Sequence, residues 1–444
     1  MGWIEEYKGK TVSPEDAVKV IKPGDRVHFA YGMEPLALGL ALLARSEELS
    51  EKGIRLFVPA PGRDLGWYDP GWEDIFSVEI AHVLPIAHQM IREKRGDYLV
   101  GDITWAPDPG LREPVDVLLI QLSPPDEHGF CSFGSSLWDK KAAVKAAKIV
   151  IAEANDNLIR TYGDNFISLS EIDYFVEHTP SGRMPGATDM LGRKTTGPGD
   201  LERKIAENVA SLIRDGDTLE IGVGGTAEWV PVLGVLEGKN DLGWHSENTP
   251  RGIATLVKEG VINGKRKTLH PGKAVATAVG GGTKEEMEFI NMNPVFEIYE
   301  SKYVLDPRII AENDNIECIN SALAIDLTGQ IAAESIGPVM MTGTGGQLAF
   351  AIGASISKGG RFIVTLRSTA KGGSVSRIVS QLEPGTIVTV PRVLADYVVS
   401  EYGIAHLKGK TQRQRAQELI GIAHPDFRSE LKREAERLYW PNTA

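Results

Sequence analysis

The sequence has little of what marks several large classes of protein. Its 444 residues include two cysteines, Cys131 and Cys318, which is too few for a disulfide scaffold and favours a reducing compartment. The formal net charge of -12 comes without a basic run, so a nucleic-acid partner is not expected. Apolar runs are broken within about ten residues, so none predicts a membrane span. The N-terminus, MGWIEEYKGK, resembles neither a signal peptide nor a transit peptide, and we expect a cytoplasmic protein.

The signatures of several enzyme classes are also missing. No glycine turn matches G-x-x-x-x-G-K-[ST], which disfavours phosphoryl transfer from a nucleoside triphosphate. The G-x-G-x-x-G spacing with a later acidic residue is absent, which weakens a dinucleotide site. The nine histidines are scattered, with no H-E-x-x-H and no C-x-x-C, so no metal site is predicted. A serine hydrolase would need the G-x-S-x-G elbow, which the sequence lacks.

The sequence does contain an internal repeat. Three pairs of segments match in the same order: residues 13–32 with 205–225, 116–134 with 320–337, and 147–156 with 359–369. Three ordered matches indicate a duplicated domain. Each copy alternates Val/Ile/Leu-rich strands with amphipathic helices, which is typical of an open, mainly parallel sheet covered on both faces. We therefore predict two α/β domains, 1–190 and 191–444, divided within the Gly- and Pro-rich stretch 179–200.

The stretch from Leu219 to Asn248 predicts a strand, a glycine turn, a helix, a second strand and an acidic tip. The turn holds Gly222, Val223, Gly224 and Gly225, and glycines after a strand let the backbone approach a bound group. Amides at the following helix N-terminus favour a phosphate or an oxyanion. Two plainer interpretations stay open: the glycines only form a turn, and the Glu247 of the tip is a solvated surface group.

Two further glycine turns lie in the second half of the sequence. One runs from Gly343 to Gln347, and the other, from Ser368 to Arg377, carries two basic residues and four hydroxyls. Several glycine turns, one of them basic, suit a ligand that bears phosphate. A glutamate beside such turns suits acyl transfer, because an ionised carboxylate attacks a thioester without a base and backbone amides stabilise the oxyanion.

One loop fits neither copy of the repeat. Residues 60–75 hold two Trp and one Tyr among Gly, Pro and Asp, and Trp105 follows. These aromatic residues either line a pocket or an oligomer contact, or pin the loop by packing. The segment 411–439 is charged and is predicted to be helical.

Eight segments together resemble the acetyl-CoA hydrolase/transferase family, most of all its 4-hydroxybutyrate, butyrate and acetate CoA-transferases. They read, in order, QLSPPDEHGFCSFG, AAKIVIAEANDN, DLGWHSEN, INSALAIDLTGQIAAESIG, GTGGQLAF, STAKGGSVSRIV, VVSEYGIAHLKGK and IAHPDFR. The likeness runs from about Pro14 to Leu431. It implies the class I CoA-transferase type of fold, two related open-sheet domains with the active site between them.

The resemblance also implies the site. Glu247 is the nucleophile, which gives an acyl-glutamyl anhydride and then a glutamyl-CoA thioester in a ping-pong order. Gly345 or Gly346 supplies an oxyanion amide, Asn320 assists, and Glu401 matches a second carboxylate found in some relatives. The residues expected to contact CoA are Gly222, Val223, Gly224, Gly225, Gly343, Gln347, Lys371 and Arg377, with Lys371 and Arg377 facing its phosphates. For Arg377 an ion pair at the surface is the alternative.

Two positions depart from the family pattern. Ala349 and His406 replace its usual aspartates, which suggests an altered acyl pocket. An acyl-CoA hydrolase using the same Glu247 is one alternative, and a CoA-binding regulatory protein without catalysis is another. The resemblance further implies that CoA is a substrate, that no tightly bound cofactor is needed, and that the partners are an acyl-CoA, a carboxylic acid and other copies in a homodimer or homotetramer.

Overall fold

The chain forms two compact units. The computed structural model describes residues 2–100, 114–180, 197–280 and 282–441. The first unit comprises Met1–Arg193 and Ala276–Tyr303, and the second comprises Lys194–Val275 and Val304–Ala444. The predicted boundary between residues 190 and 191, and Trp105, lie outside the described residues.

The first unit is built on a seven-stranded parallel sheet. Its strands are β1 (Arg26–Phe29), β2 (Ile54–Val58), β3 (Phe76–Ile80), β4 (Asp97–Tyr98), β5 (Val115–Leu122), β6 (Ala147–Ala154) and β7 (Tyr174–Glu177). Their order across the sheet is β7-β6-β5-β1-β2-β3-β4. β5 reads VDVLLIQL and is buried along most of its length. A nearly continuous apolar run of this kind is what a strand covered on both faces requires.

The second unit has a sheet of the same design. Six of its strands are β8 (Thr218–Ile221), β9 (Gly243–Thr249), β10 (Ile316–Ser321), β11 (Arg361–Thr365), β12 (Tyr397–Ser400) and β13 (Gly403–His406). These six lie side by side in the order β13-β12-β11-β10-β8-β9. The neighbouring pairs are parallel, except that β13 returns antiparallel to β12. The predicted mainly parallel α/β fold is therefore confirmed.

Helices and short strands complete the described part of the chain. The α-helices are Trp3–Lys10, Pro14–Ala17, Leu36–Leu43, Ser46–Leu49, His88–Arg92, Lys140–Ala146, Asp200–Leu212, Ile253–Lys258, Lys284–Ile290, Ser301–Val304, Pro307–Ala311, Gln347–Ile356, Gln412–Gly421 and Pro425–Tyr439. The 3₁₀-helices are Val18–Val20, Pro85–Ala87, Leu169–Glu171, Ala227–Val232 and Lys371–Gly373. The short strands are Phe130–Ser132, Tyr162–Gly163, Phe166–Ser168, Ala274–Val279, Phe296–Ile298, Ala324–Asp326, Ile331–Ala332, Ser335–Ile336, Val339–Met340, Thr369–Ala370, Val375–Ser376 and Ile378–Val379. No helix within these described ranges is long and apolar enough to cross a bilayer.

The repeat is visible in the hydrogen bonding of each unit. In the first unit, Asp126 Oδ1 accepts hydrogen bonds of 2.9 Å from the amides of His128 and Phe130. In the second unit, Asp326 Oδ1 accepts from the amides of Thr328 at 2.9 Å and Gln330 at 3.0 Å. The same turn therefore follows β5 and β10, at corresponding places in the two sheets.

One predicted pair of repeat segments is shifted by a few residues relative to the strands that correspond in the two sheets. The sequence comparison set residue 116 against residue 320, whereas β5 begins at Val115 and its counterpart β10 begins at Ile316. The apolar run that begins at Asn320 covers only the end of β10 and continues into the separate short strand Ala324–Asp326. Apolar character alone did not separate the two strands.

The aromatic loop 60–75 is held by packing. Trp67 is 2% exposed and its ring lies 5.5 Å from that of Phe29 and 5.8 Å from that of Phe76. Tyr68 is also buried. Side chains buried in this way stabilise the loop, as the second of the two interpretations requires.

Candidate active site

The first glycine turn lies where β8, β10 and β11 end. Gly222 follows β8 directly, and a Cβ on Gly224 would lie 2.8 Å from the Ser321 side chain at the end of β10. Thr226 Oγ1 lies 2.9 Å from Ser321 Oγ and 2.7 Å from Thr365 Oγ1, so hydroxyls tie the turn to both neighbouring strands. The carboxyl ends of parallel strands are where open α/β sheets bind ligands.

The middle of the turn is open. A Cβ on Gly225 would meet no atom within 4 Å, and Val223 is 37% exposed. The predicted α-helix after the turn is instead the 3₁₀-helix Ala227–Val232, which contains Pro231. Proline has no N–H to donate and disfavours a continued α-helix.

Glu247 lies within a strand, which differs from the predicted acidic tip after a strand. β9 runs to Thr249, and its alternation places His245 and Glu247 on one face. His245 Nε2 donates to the carbonyl oxygen of Val304 at 2.9 Å. Burial lowers the pKa of His245 to about 3, so this ring is neutral and provides no counter-charge for Glu247.

The second glycine turn contacts the Glu247 carboxylate. The Gly346 backbone N–H donates to Glu247 Oε2 at 2.6 Å. Gly346 is the N-cap of the helix Gln347–Ile356, so the carboxylate lies at the positive end of that helix. A Cβ on Gly346 would collide with Glu247 Oε2 and with Leu305, whereas one on Gly345 would lie 3.9 Å from Oε2. An alanine at position 346 would therefore force the Glu247 and Leu305 side chains to move.

The second oxygen of Glu247 is not held in the same way. Its Oε1 has no hydrogen-bond partner in the part of the chain that the structure describes. The Glu247 side chain is partly exposed to solvent, but its carboxyl group lies deep among protein atoms. This burial raises the pKa of Glu247 to about 7, and the Gly346 hydrogen bond opposes the rise. At neutral pH a substantial fraction of Glu247 is thus ionised and has one unbonded oxygen.

A second buried carboxyl group, Glu220 on β8, was not predicted from the sequence. It is 1% exposed, and its Oε2 accepts a 2.8 Å hydrogen bond from Asn320 Nδ2 on β10. The Asn320 carboxamide also packs on Gly222, whose Cβ position lies 2.5 Å from Asn320 Oδ1. A charged residue inside the buried strand TLEI was the available signal.

The remaining residues of the second turn face other groups. Gly343 is buried, and the neighbouring Thr344 donates through Oγ1 to Glu334 Oε2 at 2.7 Å. Gln347 begins the helix and donates through Nε2 to the Ser321 carbonyl at 3.4 Å. The turn is thus joined to the end of β10 as well as to Glu247.

The basic turn forms a separate group around Ser368. Glu401 accepts hydrogen bonds from the Ser368 amide at 2.9 Å and from its hydroxyl at 2.6 Å. No hydrogen bond joins Glu401 to Glu247 in the described ranges. Lys371 is exposed on the short hairpin that leads to Arg377.

Arg377 has no ion pair among the described residues, unlike the alternative considered from the sequence. Its side chain is half-buried, and burial lowers the pKa of its guanidinium group, as does nearby Arg367. Arg367 is paired with Glu202. A half-buried guanidinium group without a paired anion is suited to an anionic ligand.

The two departures from the family pattern have different surroundings. Ala349 is fully buried in the helix that begins at Gln347. His406 stacks on Tyr397 with ring centroids 4.4 Å apart, and its Nε2 lies 3.3 Å from Asp396 Oδ1. The altered acyl pocket stays a prediction.

Similarity to known proteins covers both halves of the chain. Residues 98–181 match the acetyl-CoA hydrolase/transferase N-terminal domain, and residues 282–435 match its C-terminal domain. A 4-hydroxybutyrate coenzyme A transferase of Clostridium kluyveri is 44% identical over 99% of this chain and 100% of its own length. A succinyl-CoA:cyclohexane-1-carboxylate CoA transferase of Geobacter metallireducens is 37% identical over 98% of this chain and 97% of its own.

A solved structure extends the likeness to the fold. The crystal structure of a 4-hydroxybutyrate CoA-transferase from Porphyromonas gingivalis matches with a TM-score of 0.80 and 35% identity, over 98% of this chain and 100% of that chain. The resemblance drawn from the sequence is confirmed, and the protein is an enzyme of the CoA-transferase type. The chain belongs to the acetyl-CoA hydrolase/transferase family.

Proposed function

We propose that this enzyme moves CoA from an acyl-CoA to a free carboxylic acid in a ping-pong reaction on Glu247. The observation that carries the proposal is the carboxylate itself: one oxygen is held by the Gly346 amide at 2.6 Å and the other has no partner in the described residues. An ionised carboxylate in this state is a nucleophile that needs no general base. The alternative regulatory protein would not need such a group.

The first half of the reaction would load CoA onto the enzyme. Glu247 Oε1 attacks the thioester carbonyl carbon, the C–S bond breaks, and the CoA thiolate leaves with the electron pair. The product is an acyl-glutamyl anhydride. The thiolate then attacks the glutamyl Cδ, the bond from Cδ to the bridging oxygen breaks, and the first carboxylate leaves. Glu247 is now a glutamyl-CoA thioester.

The second half would run these steps in reverse with a new acid. The incoming carboxylate attacks Cδ and displaces the CoA thiolate, which gives a second anhydride. The thiolate attacks the acyl carbon of that anhydride and releases the Glu247 carboxylate with the new acyl-CoA. The acyl group of each substrate thus leaves as a free acid or a CoA ester, and no water is consumed.

The Gly346 amide would act in the steps at Cδ. It already donates to a Glu247 oxygen, so negative charge that develops on this oxygen during attack at Cδ meets a donor in place. In the steps at the substrate carbonyl, the oxyanion forms on the acyl group and needs another donor. Asn320 is the candidate, because it has a second N–H that no described acceptor takes.

The basic turn would bind the nucleotide part of CoA. Lys371 is exposed and Arg377 is half-buried without an ion pair in the described ranges. Charged hydrogen bonds of this kind contribute about 1.5–3 kcal/mol each. Glu401, which is bonded to Ser368 in this unit, would order the start of the turn.

Isotope labelling separates transfer from hydrolysis. The enzyme is given butyryl-CoA and acetate in ¹⁸O-labelled water, and the released butyrate is analysed by mass spectrometry. Transfer moves oxygen between the acids and Glu247, so the butyrate stays free of water oxygen and acetyl-CoA accumulates. Label in the butyrate with no dependence on acetate would establish the hydrolase. Glu247→Gln is the control and should yield neither product.

A further inference from the structure

Glu220 lies in the middle of the buried strand β8, where an apolar residue is the usual choice. Thr218, Leu219 and Ile221 are all buried around it, and Glu220 itself is 1% exposed. Burying a carboxyl group is unfavourable unless the group is neutral or well bonded. Packing alone would be served better by an apolar residue at this place.

The contacts of Glu220 lead towards the glycine turn. Its Oε2 accepts from Asn320 Nδ2 at 2.8 Å, across two neighbouring parallel strands. The same carboxamide packs through Oδ1 on Gly222, where a side chain would displace it. The hydrogen bond to Glu220 therefore fixes the orientation of the Asn320 carboxamide relative to the turn. It uses one N–H of Nδ2, so the second N–H can donate to another acceptor.

The ionisable groups around Glu220 are Glu247 from β9 and Cys318 from β10, with Glu317 beside Cys318. Burial raises the pKa of Glu220 well above its ordinary value, and the Glu247 carboxylate raises it further. Hydrogen bonds from Asn320 and from the Ile319 backbone oppose these effects. Since Gly346 donates only to Glu247, the one negative charge of the two carboxyl groups belongs on Glu247.

We propose that Glu220 is a positioning residue for the transfer reaction, whose carboxyl group holds the Asn320 carboxamide beside the glycine turn and the nucleophile. This inference rests on the proposed role of Glu247. In the neutral form, Oε2 of Glu220 is the carbonyl oxygen and accepts from Asn320, and the proton is on Oε1. Glu220 thus supports Asn320 without placing a second buried charge beside Glu247.

The test measures how fast Glu247 becomes modified after the enzyme is mixed with butyryl-CoA, by quenching with borohydride and peptide mass spectrometry. Glu220→Ala should slow the modification about 10- to 100-fold, and Asn320→Ala should slow it about 100-fold or more. The double variant should be no slower than Asn320→Ala, because both changes remove the same contact. Glu220→Gln, whose amide oxygen accepts the same hydrogen bond, should restore most of the loss.

Two comparisons guard against a merely structural effect. Cys318→Ala removes a buried neighbour that pairs in register with Glu220, and it should leave the rate within about two-fold. The pH midpoint for modification of Glu220→Gln should stay within about half a unit of the wild-type midpoint, because one neutral group replaces another.

The outcomes are distinct. Additive losses in the double variant, or an unchanged rate in Glu220→Ala, would overturn the positioning role. A fall of a full pH unit or more in the Glu220→Gln midpoint would show that Glu220 carries charge beside the nucleophile, and would also overturn it. A wild-type enzyme with no modification at Glu247 would overturn the proposed function instead, whatever position 220 holds.

Discussion

The backbone N–H of Gly346 donates to Glu247 Oε2 at 2.6 Å, and this contact links the second glycine turn to the carboxylate on β9. A Cβ at position 346 would overlap both that oxygen and Leu305. We expect Gly346→Ala to lower kcat at least about 100-fold, because it displaces the proposed nucleophile, Glu247, and its hydrogen-bond donor together. Gly345→Ala, whose Cβ would lie 3.9 Å from the same oxygen, should lose much less. Equal losses in the two variants would show that the contact is not specific to position 346.

The raised pKa of Glu247 also has a consequence for stability. Burial moves this pKa from its ordinary value of 4.5 to about 7, so between these values the folded protein holds a proton that the unfolded chain has released. Stability from this group is therefore present below pH 4.5 and falls as the pH rises towards 7. Glu247→Gln should raise the free energy of unfolding by about 1–3 kcal/mol at pH 8 and change it little at pH 4.

Urea unfolding at the two pH values checks this. The exposed Glu237 provides a matched control in the same unit, and Glu237→Gln should stay within about 0.5 kcal/mol at both. A Glu247→Gln variant that is less stable at pH 8 would contradict the account of a carboxylate that is costly to bury.

The proposed contact of Arg377 with the CoA phosphates predicts a loss of affinity that depends on the nucleotide part of CoA. Arg377→Ala should raise KM for butyryl-CoA about 10- to 100-fold, the effect of one lost charged hydrogen bond. Butyryl-pantetheine lacks the nucleotide phosphates and should react equally with both enzymes. The exposed Arg433 serves as the charge-matched control. An equal loss with the two substrates would place Arg377 outside phosphate binding.

A buried ion cluster holds β11 to its neighbours. Arg361 bonds Asp217 at 2.5 Å, pairs with Glu317, and donates to the Leu212 carbonyl at 2.6 Å. Arg361→Ala leaves buried carboxyl groups without their cation, so we expect a loss of about 3–5 kcal/mol in the free energy of unfolding. Arg308→Ala removes the 87% exposed partner of Asp306 and should cost less than about 1 kcal/mol. Similar losses for the two variants would refute the argument from burial.

Much of the fold followed from local sequence patterns. Each copy of the repeat was predicted to alternate helices with strands, and in the segment 13–32 Ser13 Oγ accepts from the Asp16 amide at 3.1 Å and caps the helix Pro14–Ala17 ahead of β1. The helical segment 411–439 was also predicted correctly and forms two helices. These features depend on neighbours in sequence, which a single chain displays directly.

Features that depend on contacts distant in sequence were harder to predict. Glu247 was expected at a strand end but lies inside β9. The polar residues of HSEN do not show the apolar pattern of a buried strand, and the elements that bury this strand are distant in sequence. Glu220 was not predicted as a site residue, because its hydrogen-bond partner, Asn320, is 100 residues away in the sequence. The homo-oligomer and the cytoplasmic location stay predictions.

The central claim is a covalent CoA ester on Glu247, and the direct measurement is its capture. The enzyme is incubated with butyryl-CoA without an acceptor acid, reduced with borohydride, digested and analysed by mass spectrometry. A glutamyl thioester is reduced to a primary alcohol, so the account predicts this change at Glu247, its disappearance when acetate is added before the reductant, and its absence in Glu247→Gln. Steady CoA release with an unmodified Glu247, or a modification at another residue, would contradict it.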